Sequence, residues 1–165
     1  MTKVIFFIII LFNLNVFNSS AGTLIVTPAE SKNKYEKAYF AGGCFWCMEE
    51  SFDKVKGVIK SISGYSGGHV KNPTYKQVIY KDTGHVEAIA VYYNPKLTSY
   101  EELLKVFWVN IDPFDANGQF CDKGKSYRSV AFYQNTKQRK LIESSISSIE
   151  KKFNKKKIVT LVWEF

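Results

Sequence analysis

Gly42-Gly43-Cys44-Phe45-Trp46-Cys47 sets two thiols three residues apart, behind two glycines and around two large aromatic rings. Glycines let the backbone approach other groups closely, and Cys44 falls where an apolar stretch gives way to an acidic, helix-like segment. The first turn of a helix offers unpaired N–H groups and a partial positive charge, which favour thiolate over thiol. Phe45 and Trp46 would supply apolar walls. Three chemistries fit a C-x-x-C pair. One is half of a zinc site, for which Cys121, His69 and His85 are the further ligands on offer. Another is a thioredoxin-like redox couple. The third is a nucleophile with its resolver, since one helical turn brings two sulfurs within disulfide range and a sulfenic acid condenses with a nearby thiol.

Glu87 is the second chemical signal. It stands in Val86-Glu87-Ala88-Ile89-Ala90-Val91, where alternation places it on the face of Ile89 and Val91. A carboxylate on an apolar face is costly unless paired or used, and burial would raise its pKa enough to make it a proton donor. If that face is solvated instead, Glu87 is an ordinary surface acid. Tyr75 and Tyr127 read equally well as core or as site residues. The third cysteine, Cys121, leaves an odd thiol count, which favours a working thiol over a disulfide framework in an exported protein.

These residues need elements to hold them. Lys37–Gly42 reads as a buried strand, followed by a helix from Cys44 to about Val55 with Phe45, Met48 and Phe52 on one stripe. Val58–Tyr65 is strand-like, and Ser66–Pro73 is a loop. Thr74 caps a short helix carrying Tyr75, Val78 and Ile79. After the Asp82-Thr83-Gly84 turn, His85–Tyr93 alternates as a strand. Thr98 or Ser99 then caps a helix with Glu101 and Glu102 in its first turn. Residues 111–126 form a long irregular segment, of the length associated with functional loops. A strand over Tyr127–Tyr133, a helix from Thr136 to about Phe153 and a last strand over Ile158–Phe165 complete the pass. The pattern predicts an α+β fold, a mixed central sheet with helices packed on it.

The chain has 165 residues, enough for one core, and its 45% hydrophobic and 16% aromatic content excludes a disordered protein. Its net charge of +8 draws heavily on Lys151–Lys157. That cluster suits the negative end of a helix, and no motif accompanies it that would point to nucleic acid. At the start, Lys3, the apolar run 4–12 and the small residues of Ser19-Ser20-Ala21 describe a secretory signal cut after Ala21. The apolar run is short for a span, so stable membrane insertion is not expected after cleavage, and an uncleaved anchor is the alternative. Residues 22–36 read as a linker and 37–165 as the working domain of an exported, periplasmic or secreted protein.

Five motifs then stand in one order: Gly42–Cys47, Gly64-Tyr65-Ser66-Gly67-Gly68, Asn72-Pro73-Thr74-Tyr75, Thr83-Gly84-His85-Val86-Glu87-Ala88, and Asp122–Ser129. In these the chain resembles the peptide methionine sulfoxide reductase A family from about Lys37 onward. The resemblance implies a ferredoxin-like α/β plait core, and an enzyme that reduces methionine (S)-sulfoxide, free or in proteins. It implies that Cys44 attacks the sulfoxide sulfur, Glu87 protonates the oxygen, and Phe45 and Trp46 hold the methyl group. Tyr75, Tyr127 and Asp122 would form the polar side of the pocket. Cys47 would resolve the Cys44 sulfenic acid, with Cys121 an alternative resolver. No bound cofactor is implied, only a dithiol reductant such as thioredoxin, and the enzyme would act as a monomer. Family members usually continue past the strand ending at Phe165 with a tail that adds an aromatic to the pocket. An open pocket is therefore expected, and a truncated, inactive chain or a zinc-binding thiol module are the alternatives.

Overall fold

In the computed structural model, which describes residues 35–165, the sheet is built by two interleaved β-α-β units. The expected signal segment and residues 22–34 of the expected linker lie outside the described residues. The elements in chain order are β1 (Glu36–Ala41), α1 (Phe45–Asp53), β2 (Val58–Ser66), α2 (Tyr75–Tyr80), β3 (Val86–Tyr93) and α3 (Tyr100–Val109). The hairpin strands β4 (Gly118–Gln119) and β5 (Asp122–Lys123) follow, then β6 (Val130–Tyr133), α4 (Thr136–Lys152) and β7 (Leu161–Glu164). The main sheet has the order β2-β3-β1-β6-β7. Strand β3 runs antiparallel between β1 and β2, and β1 runs antiparallel between β3 and β6, while β7 joins β6 in parallel. The first four of these strands, with α1 and α3 as crossovers, reproduce the β-α-β-β-α-β plait, so the expected mixed sheet with packed helices is present.

One face of the sheet carries the helices. Phe45, Met48 and Phe52 of α1 and Leu103, Leu104 and Phe107 of α3 share a core with Phe40, Ile89 and Val91. Ile142 of α4 joins the same core. At its centre the Phe40 ring stacks against Phe52 and Phe107 at 5.1 and 5.0 Å. Val86, Ala88, Val130 and Phe132 point the other way, against Trp163 and Leu161. The period-2 reading of β3 therefore holds, and Glu87 faces the helices.

Helix starts follow sequence closely. Ser99 Oγ accepts from the Glu102 amide at 3.2 Å, and Asn135 Oδ1 from the Gln138 amide at 3.0 Å. Thr74 and Gln77 form a reciprocal capping box. Two expectations require correction. Tyr127 lies in a 3₁₀ turn, Lys125–Tyr127, and the strand begins only at Val130, because β1 offers pairing partners only opposite Val130–Phe132. The last strand is likewise limited to Leu161–Glu164, where β6 pairs with it. Among the described residues no helix is long and apolar enough to cross a membrane.

Candidate active site

Both glycines before Cys44 are required, for different reasons. A Cβ on Gly42 would sit 2.6 Å from Met48 Sδ and 2.8 Å from Ile111 Cγ2, so its hydrogen lets the turn press on the core. Gly43 takes φ +84°, a conformation L side chains rarely adopt, and a Cβ there would meet Gln119 Cβ at 2.7 Å. Gln119 is fully buried and holds the irregular loop by gripping Asp112 from both sides: its Oε1 accepts from the Asp112 amide at 2.6 Å and its Nε2 donates to the Asp112 carbonyl at 2.9 Å. The backbone thus delivers Cys44 to the N-cap of α1.

Cys44 makes no side-chain cap bond, which leaves its thiol uncommitted. The capping task passes to Glu87, 42 positions beyond Phe45. The Phe45 amide, the first N–H of the helix, donates to Glu87 Oε2 at 3.1 Å. Glu87 is only 2% exposed, and its Oε1 is buried without any hydrogen-bond partner among the described residues. Burial pushes this carboxyl above its ordinary pKa, the Phe45 amide pulls it partly back, and the nearby charge of Asp122 raises it further. Such a group holds its proton in a range where exposed carboxylic acids have lost theirs.

Aromatic rings gather around this acid. Phe45, 8% exposed, lies 5.6 Å from the Trp46 ring, 5.9 Å from Tyr65 and 6.5 Å from Tyr75. Trp46 is 68% and Tyr75 48% exposed, so the apolar wall opens to solvent. Burial, then the neighbouring Tyr75 and the charges of Glu87 and Asp122, raise the pKa of the Tyr127 hydroxyl. Tyr65 pairs with Glu87 across β2 and β3, and its pKa is raised by burial, then by Glu87 and Tyr75. Cys47 is exposed at the rim. Burial of its sulfur, then the neighbouring Cys44, raise its thiol pKa.

The structure therefore brings together Cys44, Phe45, Trp46, Cys47, Tyr75, Glu87, Asp122 and Tyr127. Cys121 is an exposed residue at the tip of the β4–β5 hairpin, and its neighbour Asp122 is among the groups acting on Cys47. Among the described residues no group of three or more His, Cys, Asp or Glu side chains converges as a metal site, so the zinc reading has no ligand set behind it. Tyr65, which lies in the Gly64–Gly68 motif, and Gln119 belong to the site, but the sequence assigns neither a role there. Strand register places Tyr65, and a glycine contact places Gln119.

The profile of the family described as peptide methionine sulfoxide reductase matches residues 36–165. The chain belongs to that family. It is 54% identical over 112 residues to peptide methionine sulfoxide reductase MsrA of Bacillus subtilis, an alignment covering 68% of this chain and 63% of that relative. The matched region thus spans less than two thirds of the relative's length. Among solved structures, reduced Mxr1 from Saccharomyces cerevisiae is 29% identical with a TM-score of 0.74, covering 84% of this chain and 81% of that one. Mxr1 in complex with Trx2, 22% identical with a TM-score of 0.56 over 82% and 80% of the two chains, shares the fold. Family membership agrees with the resemblance drawn from the five motifs.

Proposed function

We propose that this chain reduces methionine (S)-sulfoxide, free or within proteins, to methionine. One observation carries the reading: a buried carboxyl with an unused oxygen, held against the helix start that presents an uncommitted thiol. In the proposed sequence the Cys44 sulfur attacks the sulfoxide sulfur while Glu87 protonates the sulfoxide oxygen. The oxygen passes to Cys44, methionine leaves, and Cys44 becomes a sulfenic acid. The Cys47 thiol then displaces that oxygen as water and closes a disulfide. An external dithiol returns both cysteines to thiols, so the sum is sulfoxide plus dithiol giving methionine, disulfide and water.

Phe45 and Trp46 suit the apolar methyl group of the substrate. Tyr75 and Tyr127 are placed to donate to an oxygen on which negative charge grows, an arrangement that lowers a barrier when it is pre-formed. Exposure of Cys47 suits access by a protein dithiol. A thioredoxin-type partner is the reductant we assign, in keeping with Mxr1 having been solved with Trx2. We also assign action outside the cytoplasm by a monomer, on the strength of the signal-like start alone for the location.

Incubation with a peptide methionine (S)-sulfoxide and dithiothreitol, with methionine peptide followed by chromatography, tests the activity. Release by the wild type and none by Cys44→Ser is the expected result. No release by the wild type would overturn the proposal.

A further inference from the structure

Tyr127 has two sides. Its hydroxyl meets Tyr75 and lies in the field of Glu87 and Asp122, whereas its ring also lines a separate groove. That groove encloses about 480 Å³ between the end of α2 with the turn after it and the Lys123–Arg128 segment. Both walls are braced before any ligand arrives. On one side the His69 amide donates to the Thr83 carbonyl at 3.0 Å, and His85 Nε2 meets the Val70 carbonyl at 2.8 Å. On the other, the Gly124 amide donates to the Asn117 carbonyl at 2.8 Å and Arg128 Nε to the Lys125 carbonyl at 3.1 Å.

The walls carry Lys81, Lys123, Lys125 and Arg128 against one carboxylate, Asp82. Lys123 is already satisfied by Asp115 at 2.5 Å. Asp82 reaches Lys125 only at 3.4 Å, with both side chains about three-quarters exposed, a contact of little energy. Lys81 forms no ion pair among the described residues. Its charge therefore remains for a ligand and Lys125 is easily recruited, whereas Arg128 is held with its guanidinium 5.9 Å from the Trp163 ring centroid and its Nε on the Lys125 carbonyl.

We infer that this groove is a subsite for an acidic side chain flanking the oxidised methionine, so that acidic peptides are taken in preference to basic ones. A peptide whose sulfoxide sits between Phe45 and Tyr127 passes the Tyr127 ring directly into the groove, and opposite charge then favours Asp or Glu there. This deepens the reductase reading above and rests on it for the orientation of the peptide.

Fluorescence anisotropy with the full chain tests it, using labelled peptides that carry methionine sulfone, which thiols do not reduce, flanked by Glu, Gln or Lys. At low ionic strength the Glu peptide binds about three- to tenfold more tightly than the Gln peptide, and the Lys peptide more weakly still. Salt erases the ranking, because screening acts strongly on exposed charges. The Lys81→Glu/Lys125→Glu variant reverses it while turning over the uncharged N-acetyl-methionine sulfoxide methylamide, which has no flanking residue, like the wild type. Equal affinities, no measurable binding of the Glu peptide, or a Glu preference that survives charge reversal would overturn the inference. Failure of the reductase reading would appear separately, as absent turnover of N-acetyl-methionine sulfoxide methylamide by the wild type.

Discussion

The Phe45 amide donates to one oxygen of the Glu87 carboxyl at 3.1 Å, and the other oxygen of that carboxyl is buried with no partner. One side chain thus closes the start of α1 and keeps a polar atom unsatisfied beside Cys44. Leaving a buried acceptor unpaired costs roughly 1–3 kcal/mol, so a fold that retains one has a use for it or is strained by it. Protonation relieves the cost and creates a donor, which ties stability and chemistry to the same proton.

Glu87→Gln separates the two. Because burial raises the folded-state pKa of Glu87, its stability contribution is fully present below the ordinary value of 4.5 and is lost as pH rises through the raised folded value. Glutamine keeps the carbonyl for the Phe45 amide and never ionises. The variant should melt higher than the wild type at neutral pH, and the gap should close at acidic pH. Activity should fall by about 10²- to 10⁴-fold, as for loss of a general acid. In the wild type, turnover should decline on the alkaline side as Glu87 loses its proton. Melting curves and rates over one pH series check all three; a variant no more stable than the wild type at neutral pH would refute the argument from burial.

Cys47 should be needed for recycling and not for the first turnover. Without reductant, wild type and Cys47→Ser should each release about one methionine per chain, leaving a disulfide in the first and a dimedone-reactive sulfenic acid in the second. Burial keeps the Cys47 thiol above its ordinary value of 9.0, so disulfide closure should still be accelerating at that pH, in step with its thiolate fraction. Quenched-flow thiol counting measures this. Disulfide formation by Cys47→Ser would transfer the role to Cys121.

The site was legible where chemistry and local geometry coincide. Cys44 at a helix start, Thr74 as a cap and Glu87 on the face of Ile89 and Val91 all follow from periods of 3.6 and 2 and from capping rules. Tyr127 was placed in a strand because Tyr127–Tyr133 is rich in strand formers. Tertiary pairing overrode that preference, since β1 ends opposite Val130. The roles of Tyr65, despite its place in the Gly64–Gly68 motif, and of Gln119 are not legible for a related reason. The first depends on cross-strand register with Glu87, and the second on a loop folding back against Gly43. Neither relation is local in sequence.

Tyr127→Phe should lower kcat about tenfold, roughly the rate equivalent of one neutral hydrogen bond made to the developing oxygen charge. Tyr127 is half-buried and the substitution keeps its ring, so the fold should tolerate the change. The diagnostic is the split between constants. A drop in kcat with KM nearly unchanged marks a bond made in the transition state, whereas a rise in KM alone would assign Tyr127 to ground-state binding.

Gly43→Ala is the sharpest test of how the turn aims Cys44. The methyl group meets two penalties: left-handed backbone, costing roughly 1–2 kcal/mol, and collision with Gln119 Cβ at 2.7 Å. Gln119 cannot yield freely, because both ends of its amide are bound to Asp112. A loss of about 2 kcal/mol or more is expected, together with impaired methionine release, since moving either partner shifts Cys44 against Glu87. Gly64→Ala is the control: nothing lies within 4 Å of its Cβ and its backbone is not left-handed, so denaturant unfolding should barely register it. The double variant Gly43→Ala/Gln119→Gly removes the colliding Cβ and keeps the left-handed backbone penalty at residue 43. If Gly43→Ala costs as much stability in the Gln119→Gly background as in the wild type, contact with Gln119 does not constrain the turn.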